Sequence, residues 1–450
     1  MFSAFLNSWK IPELRKRLLF TFGVIALARV GANIPCPGVN PQPLTAYLEQ
    51  VSKQVGGGSF LGLASLLTGG GLQRCAVFAL GVMPYISGSI IMTLLTAVIP
   101  SLERLRQEGE TGRAKIIQYG RYLTVLIAVI QSFFLAKAFE NPQTLVGANF
   151  TGVLVQNPGF GFQLLTVITI TSGTILLMWL GEQITERGIG NGVSIIITVG
   201  IVDRLPSAIG QAWTLFFGPE SQFNILHAVL LAVMVLTVIA GVIAVTQAQR
   251  KIPVQYAKRM VGRKMLGGGQ TFMPLRVNYA GVMPIIFAQA ILLFPQKLFS
   301  ISHLGFLQAL GRQLTEGAGL YLTFYGLMIL FFSYFWVATQ FNPLQIADDL
   351  KKYGGYVPGI RPGKPTAEFL DHTMTRITLA GAVFLTIIAV IPYLLSHYLR
   401  LPYLTASFFG GTSILITVGV MLDTMRQVES HLFMRGYDGF LRKGKLRGRR

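Results

Sequence analysis

The sequence predicts an all-α polytopic membrane protein: ten transmembrane helices in two inverted five-helix halves, with a short re-entrant helix between the first two spans. Three observations lead there. Of 450 residues, 52% are hydrophobic and 12% charged, about half the charge of a typical soluble domain. Apolar runs near the ~20 residues needed to cross a ~30 Å hydrocarbon core occur ten times. The tetrapeptide "GVMP" stands at 81–84 and again at 281–284, which are equivalent places in a five-plus-five arrangement.

The first run, 18–36, follows basic residues but precedes no small-residue cleavage pattern, so it reads as a retained span rather than a signal peptide. Next comes "FLGLASLLTGGG". Its apolar part, Phe60 to Leu67, is about 12 Å long as a helix and too short to cross. The remaining runs are 75–98, 120–138, 162–182, 190–211, 224–246, 277–299, 320–341, 375–396 and 403–423. The fifth is the weakest, because Asp203, Arg204 and Pro206 interrupt it. "GIGNG" at 188–192 lacks the lysine and hydroxyl residue of a phosphate loop and reads as a tight cytoplasmic turn. Pro84 and Pro284 remove a helix N–H in the second and seventh runs and are expected to loosen them. The halves are 1–212 and 213–425, and 426–450 is a basic tail.

Charge sets the orientation. Thirty-eight Lys and Arg stand against 18 Asp and Glu, a net +20. Thirty of the cations fall in 1–17, 99–121, 183–191, 247–276, 342–376 and 424–450, and seven on the opposite side, which puts both termini in the cytoplasm. Five spans per half is odd, so halves of one fold must be mutually inverted. The loop 247–276 carries Arg250, Lys251, Lys258, Arg259, Arg263, Lys264 and Arg276 with no acid, and the loop 342–376 is articulated by Pro and Gly. Attraction to anionic lipid accounts for ~1 kcal/mol per basic residue. The length and articulation of the loops fit the docking of a large anionic partner.

Reaction chemistry is not visible. An enzyme needs a nucleophile with its base, paired carboxylates or metal ligands, and the five histidines are scattered at span ends and loops. No catalytic, metal or cofactor site is expected. Cys36 and Cys75 read as small buried hydrophobes. Arg29, Asp203 and Arg204 lie toward the outer ends of their spans, where structural pairing or snorkelling accounts for them. A secondary transporter of a small solute is one reading of such a chain, although few ionisable groups lie at mid-span, and an intramembrane enzyme is a weaker one.

Several longer motifs carry a resemblance: "IPCPGVN", "ALGVMPYISGSIIMTLL", "EGETGRAKIIQYGRY", "GEQITERGIGNGVSIII", "IPVQYAKRMVGR", "LRVNYAGVMPIIFA", "FNPLQIADDLKKYGGYVPGIRPG" and "FGGTSILI". In order and almost end to end, the chain resembles the SecY family, the channel subunits of the bacterial Sec translocon; the plastid version is similar. The resemblance implies a protein-conducting channel in the cell inner membrane, opening across the bilayer for unfolded secretory chains and sideways, through a lateral gate, for membrane segments. It implies SecE and SecG as bracing subunits, with a SecA motor or a translating ribosome as the source of energy. The pore ring then maps to Val82, Ile86, Val193, Ile197, Ile286 and Ile416. The plug maps to Phe60, Leu61, Leu63, Leu66 and Leu67, with Gly69, Gly70 and Gly71 as its hinge. Pro84 and Pro284 become gate-helix kinks, and Arg361 and Lys364 join the basic loop residues as docking positions. Independently of the resemblance, Val82 with Ile86 and Val193 with Ile197 are i,i+4 pairs, each on one helix face.

Overall fold

The computed structural model describes residues 11–52, 68–143, 150, 152–217, 225–256, 259–261, 264–266, 269–289, 291–292, 313, 319–398 and 412–443. The chain divides into two compact units. Met1–Gln222, Leu401–Thr405 and Ile416–Arg450 form the first, and Phe223–Arg400 with Ala406–Leu415 the second. Six helical segments among the described residues are long and apolar enough to cross a membrane, or seven where a sharply bent pair is counted as one span. Each of the ten apolar runs contains helix in its described part, though the second and seventh begin outside helix and the fifth is interrupted.

In the first unit, α1 (Pro12–Asn33) begins with a proline in its first turn and stops before the Ile34–Pro35 step, where a following proline disfavours helix. Leu14, Leu18, Thr21, Val24, Ala28, Gly31 and Ala32 are its buried positions, a stripe at helical spacing. The short α2 (Gln42–Ser52) follows. After it, α3 (Met83–Val98) bends by 98° into α4 (Pro100–Gln107), because Pro100 cannot continue the α3 hydrogen-bond ladder. The long α5 (Glu110–Glu140) packs between α3 and α6 (Phe160–Arg187). A Cβ on Gly88 of α3 would stand 2.7 Å from Thr124 Oγ1 and 3.2 Å from the Gly120 carbonyl of α5. This is the close helix crossing that small residues allow in membranes. The fifth run splits into α7 (Gly192–Val202) and α8 (Leu205–Phe217), parting at the Asp203–Arg204 break that the sequence marks.

In the second unit, α9 (Ile225–Gln247) leads into β1 (Gln249–Tyr256). The hairpin β2 (Arg259–Val261) and β3 (Lys264–Leu266) follows, then β4 (Gln270–Arg276). A helix α10 covers 283–289. Then come α11 (Gly319–Gln340), α12 (Pro343–Lys352), β5 (Gly355–Tyr356) and α13 (Lys364–Tyr398). The basic loops, of which 342–376 reads in the sequence as articulated by Pro and Gly, are in part a sheet: β1 lies between β4 and β5, antiparallel to both. The cause is a period-two pattern that the density of charge conceals. Ile252 and Val254 point inward between exposed or half-buried neighbours. With Leu275 and Val357, Ile252 joins a core shared with Val337 and Phe341 of the α11 end and Leu370 and Met374 of α13.

Two further expectations change. The second span is helical only from Met83; Thr68 to Val82 runs as consecutive turns. Pro84 therefore sits in the first turn of α3, where its missing N–H costs nothing, and does not kink a helix interior. Pro284 occupies the same place, second in α10. The last helix, α14 (Thr412–Lys443), continues into the basic tail from 426 as far as its described part extends.

Candidate functional site

The two "GVMP" segments are built alike. Gly81 and Gly281 are both left-handed, at φ +57° and +63°, a conformation open to glycine at little cost. In each, the valine precedes the helix, the methionine begins it and the proline fills its first turn. The Ile86 amide donates to the Val82 carbonyl at 3.1 Å, and the Ile286 amide to the Val282 carbonyl at 3.4 Å. A four-residue identity in the sequence is thus a repeated backbone device, one copy in each unit.

The expected ring residues are placed as follows. Val82 caps α3 and Ile86 lies one turn further on, both buried. On α7, Ile197 is buried, while Val193 is half-buried and packs on Gly181 of α6. Asn191 caps this helix by accepting the Ser194 amide at 3.2 Å, which fixes the start of the Val193–Ile197 face. Ile416 is buried on α14. These five belong to the first unit, and Ile286, also buried, belongs to the second. The "GIGNG" turn is held from two sides. The Gly190 amide donates to Gln427 Oε1 of α14 at 2.8 Å and the Ile189 amide to Thr21 Oγ1 of α1 at 3.3 Å.

The apolar part of the expected plug, Phe60, Leu61, Leu63, Leu66 and Leu67, lies outside the described residues. The glycines beyond it are described and tightly accommodated. Gly69 and Gly70 are left-handed. A Cβ on Gly69 would meet Arg29 Nη1 at 2.6 Å and Gly200 Cα at 3.0 Å, and one on Gly71 the Phe78 carbonyl oxygen at 2.8 Å. Arg29 Nη1 donates to the Gly69 carbonyl at 3.3 Å and pairs with Asp203 Oδ2 at 3.6 Å. Arg204 Nη2 donates to Gln73 Oε1 at 2.8 Å, and Arg74 to Asn33 Oδ1. A cavity of about 20 Å³ beside this cluster is lined by Ala28, Arg29, Thr68, Phe78, Val82 and Gly200, among others, room for about one water. Gln73 and Arg74 were not singled out in the sequence; the available signal was two polar side chains between a glycine triplet and an apolar run.

Of the docking positions, Arg250 and Lys251 are exposed on β1, and Arg361 and Lys364 are exposed beside the start of α13. The Arg361 carbonyl accepts from Thr366 Oγ1 at 2.8 Å, tying its turn to that helix. Arg259 and Lys264 lie in the β2–β3 hairpin, whose backbone alone is described. Lys258 and Arg263 lie outside the described residues. Sequence reasoning missed the aromatic component here: Tyr256, Phe272 and Tyr356 are exposed on the same three strands.

Fold and site together define a polytopic helical membrane protein with the same half-buried helix start in both of its units. A family model described as SecY matches residues 76–425. The protein translocase subunit SecY of Thermotoga maritima is 43% identical over 452 residues, covering all of both chains. The chain belongs to the SecY family. Among solved structures, one described as a protein-conducting channel matches with a TM-score of 0.61 at 18% identity, and Sec61 in the canine ribosome–channel complex with 0.58 at 18%; each comparison covers 92% of both chains. These two likenesses show the fold.

Proposed function

We propose that this chain is the protein-conducting channel of a Sec translocon. It passes unfolded secretory polypeptides across the membrane and releases transmembrane segments sideways into the bilayer through a lateral gate. The observation that carries the reading is full-length similarity to a translocase subunit. The repeated helix start in the two units supports it. Branched aliphatics at Val82, Ile86, Val193, Ile197, Ile286 and Ile416 offer a moving chain no hydrogen bonds and resist ions by dewetting. Residues 60–67 act as the plug, and α3 with α10 borders the gate. The chain is not an enzyme; energy comes from a SecA motor or a translating ribosome, with SecE and SecG as bracing subunits. Ribosomal RNA and protein, or the motor, meet the basic loops, where the exposed residues of β1 and the Arg361 turn present cations beside aromatics. Membrane lipids surround the exposed apolar faces. By the distribution of Lys and Arg, both termini lie in the cytoplasm, and membership of the SecY family supports the cell inner membrane as the location of the chain.

The test is protease protection in vesicles. Purified chain with its partner subunits, SecA and ATP should shelter an unfolded secretory precursor from external protease. No sheltered precursor, where a control translocon works, refutes the channel reading. Gradient-driven solute uptake without SecA would favour the transporter alternative. Replacing Ile86 and Ile416 with glycine should raise resting ion leakage, and unchanged conductance would remove them from the ring.

A further inference from the structure

The polar cluster between α1, α7 and the turns before α3 is not used by the ring or by the docking loops. Its charges are Arg29 from α1, Arg74 from the turns, and Asp203 with Arg204 from the α7–α8 break. Three guanidinium groups thus lie within electrostatic reach of one another, and Asp203 is the carboxylate that faces them. Arg29 holds Asp203 on one side and the Gly69 carbonyl on the other. Gly69 and Gly70 let the arginines approach the backbone, since a Cβ on Gly70 would meet Arg204 Nη2 at 3.2 Å.

We infer that Asp203 and Arg29 form an electrostatic clasp that holds the Thr68–Arg74 turns against α1 and α7, and so position the chain that links residues 60–67 to α3. The role assigned to the clasp in closing the channel rests on the plug reading. The arrangement suits a contact that must hold and then release. The side chains of Arg29 and Asp203 are 23% and 44% exposed, so the pair is partly screened by solvent and commands a small equilibrium factor. Removing Asp203 does more than delete an attraction, because it leaves Arg29, Arg74 and Arg204 to repel one another across the same turns. Neutralising Arg29 instead frees the Gly69 carbonyl while lowering that repulsion.

The chain supplies its own reporter. Cys75, next to Arg74, is fully buried, and Cys36 is the other cysteine. In a Cys36→Ala background, Cys75 is the single thiol, and its maleimide labelling measures opening of the turns. The full chain with its partner subunits would be reconstituted in vesicles, and labelling and resting ion leakage read together. Asp203→Asn is expected to raise both about two- to fivefold, the range that a partly exposed pair commands. The exchanged pair, Arg29→Asp with Asp203→Arg, should restore part of the protection. Labelling of Asp203→Asn at the parent rate, or an exchanged pair no better than its single variants, overturns the inference. Asp203→Glu keeps the charge and should label like the parent; labelling as fast as Asp203→Asn likewise overturns it. Deletion of residues 60–67 is measured in parallel. Leakage raised by the deletion, with clasp variants at the parent rate, defeats the clasp and leaves the plug. Labelling raised by Asp203→Asn, with leakage untouched by the deletion, supports the clasp and defeats the plug.

Discussion

Replacing Gly81 and Gly281 by alanine, one at a time, tests whether the repeated motif is a repeated backbone device. Both residues are left-handed, at +57° and +63°, where an L side chain costs roughly 1–2 kcal/mol. Alanine also narrows the unfolded ensemble, which returns about 0.4–1 kcal/mol. Gly281 has nothing within 4 Å of an added Cβ, so Gly281→Ala isolates the backbone and should weaken its helix start by about 1 kcal/mol. At Gly81 the same Cβ would stand 3.3 Å from Thr68 Cα and Cγ2. That contact is tight enough to demand a shift, adding about 1 kcal/mol. Hydrogen exchange across 81–90 and 281–289 reads each start locally. The expected acceleration is about fivefold for Gly281→Ala and about thirtyfold for Gly81→Ala, converting at RT ≈ 0.59 kcal/mol. Unchanged exchange in Gly281→Ala would show that left-handed glycine does not fix the helix start. Equal acceleration in both would show that Thr68 bears no weight.

Three other perturbations probe the packing around the site. Gly88→Leu drives a side chain into Thr124 Oγ1 and the Gly120 carbonyl; it should cost about 1–3 kcal/mol or more, read as a lower denaturation midpoint in mixed micelles, with Gly88→Ala intermediate. Val254→Asp puts a carboxylate at a buried position of β1; trypsin should cut faster after Arg250 and Lys251 while amide exchange within α9 stays slow, and equal protection in both forms would refute the packed-sheet account. Arg121→Gln removes the 2.8 Å partner of Glu182, whose side chain is 17% exposed; the loss should be about 1–3 kcal/mol, and Glu182→Gln in the same chain should recover part of it in a double-mutant cycle.

What was legible in the sequence follows from which physical signals are local. Span length, the α1 stripe from Leu14 to Ala32 and the break at Asp203 are each carried by neighbouring residues, and each reads directly. The start of α3 was misplaced because Cys75 to Val82 is as apolar as a helix, and hydropathy does not register backbone conformation. The small sheet was missed for a different reason. Ile252 and Val254 alternate visibly, but β1 completes itself with β4, beyond a hairpin, and with β5, beyond several helices. The charge density of the loop drew the reading toward docking and away from pairing. Arg29 and Asp203 were each conspicuous as charges in apolar runs, yet their meeting depends on how α1 packs beside α7, which no local window contains.

The turns between Thr68 and Val82 bear on how an irregular stretch can lie in a run apolar enough to be taken for a span. Backbone outside a helix is tolerated at membrane depth only where its polar groups are satisfied and shielded by protein. Here the amides of Gly71, Arg74, Cys75, Ala76, Ala79, Gly81 and Met83 donate to carbonyls within the stretch, and that of Val77 donates to the Ile34 carbonyl after α1. The Cys36 amide returns the contact by donating to the Cys75 carbonyl at 2.8 Å. Leu72, Cys75, Ala76, Phe78, Ala79 and Val82 are all buried. A stretch with this many internal hydrogen bonds and this much burial is a built element and not a loose leader to α3. Its attachments to the rest of the first unit include the bridge to the end of α1, Leu72, Cys75 and Ala79 packed with Leu135 and Phe139 of α5 and Ile170 of α6, the Phe78 side chain packed with Leu177 and Leu180 of α6, and the arginine contacts at Gly69, Gln73 and Asn33. Of these attachments, the one nearest the start of the stretch is made of charge, through Arg29 at the Gly69 carbonyl.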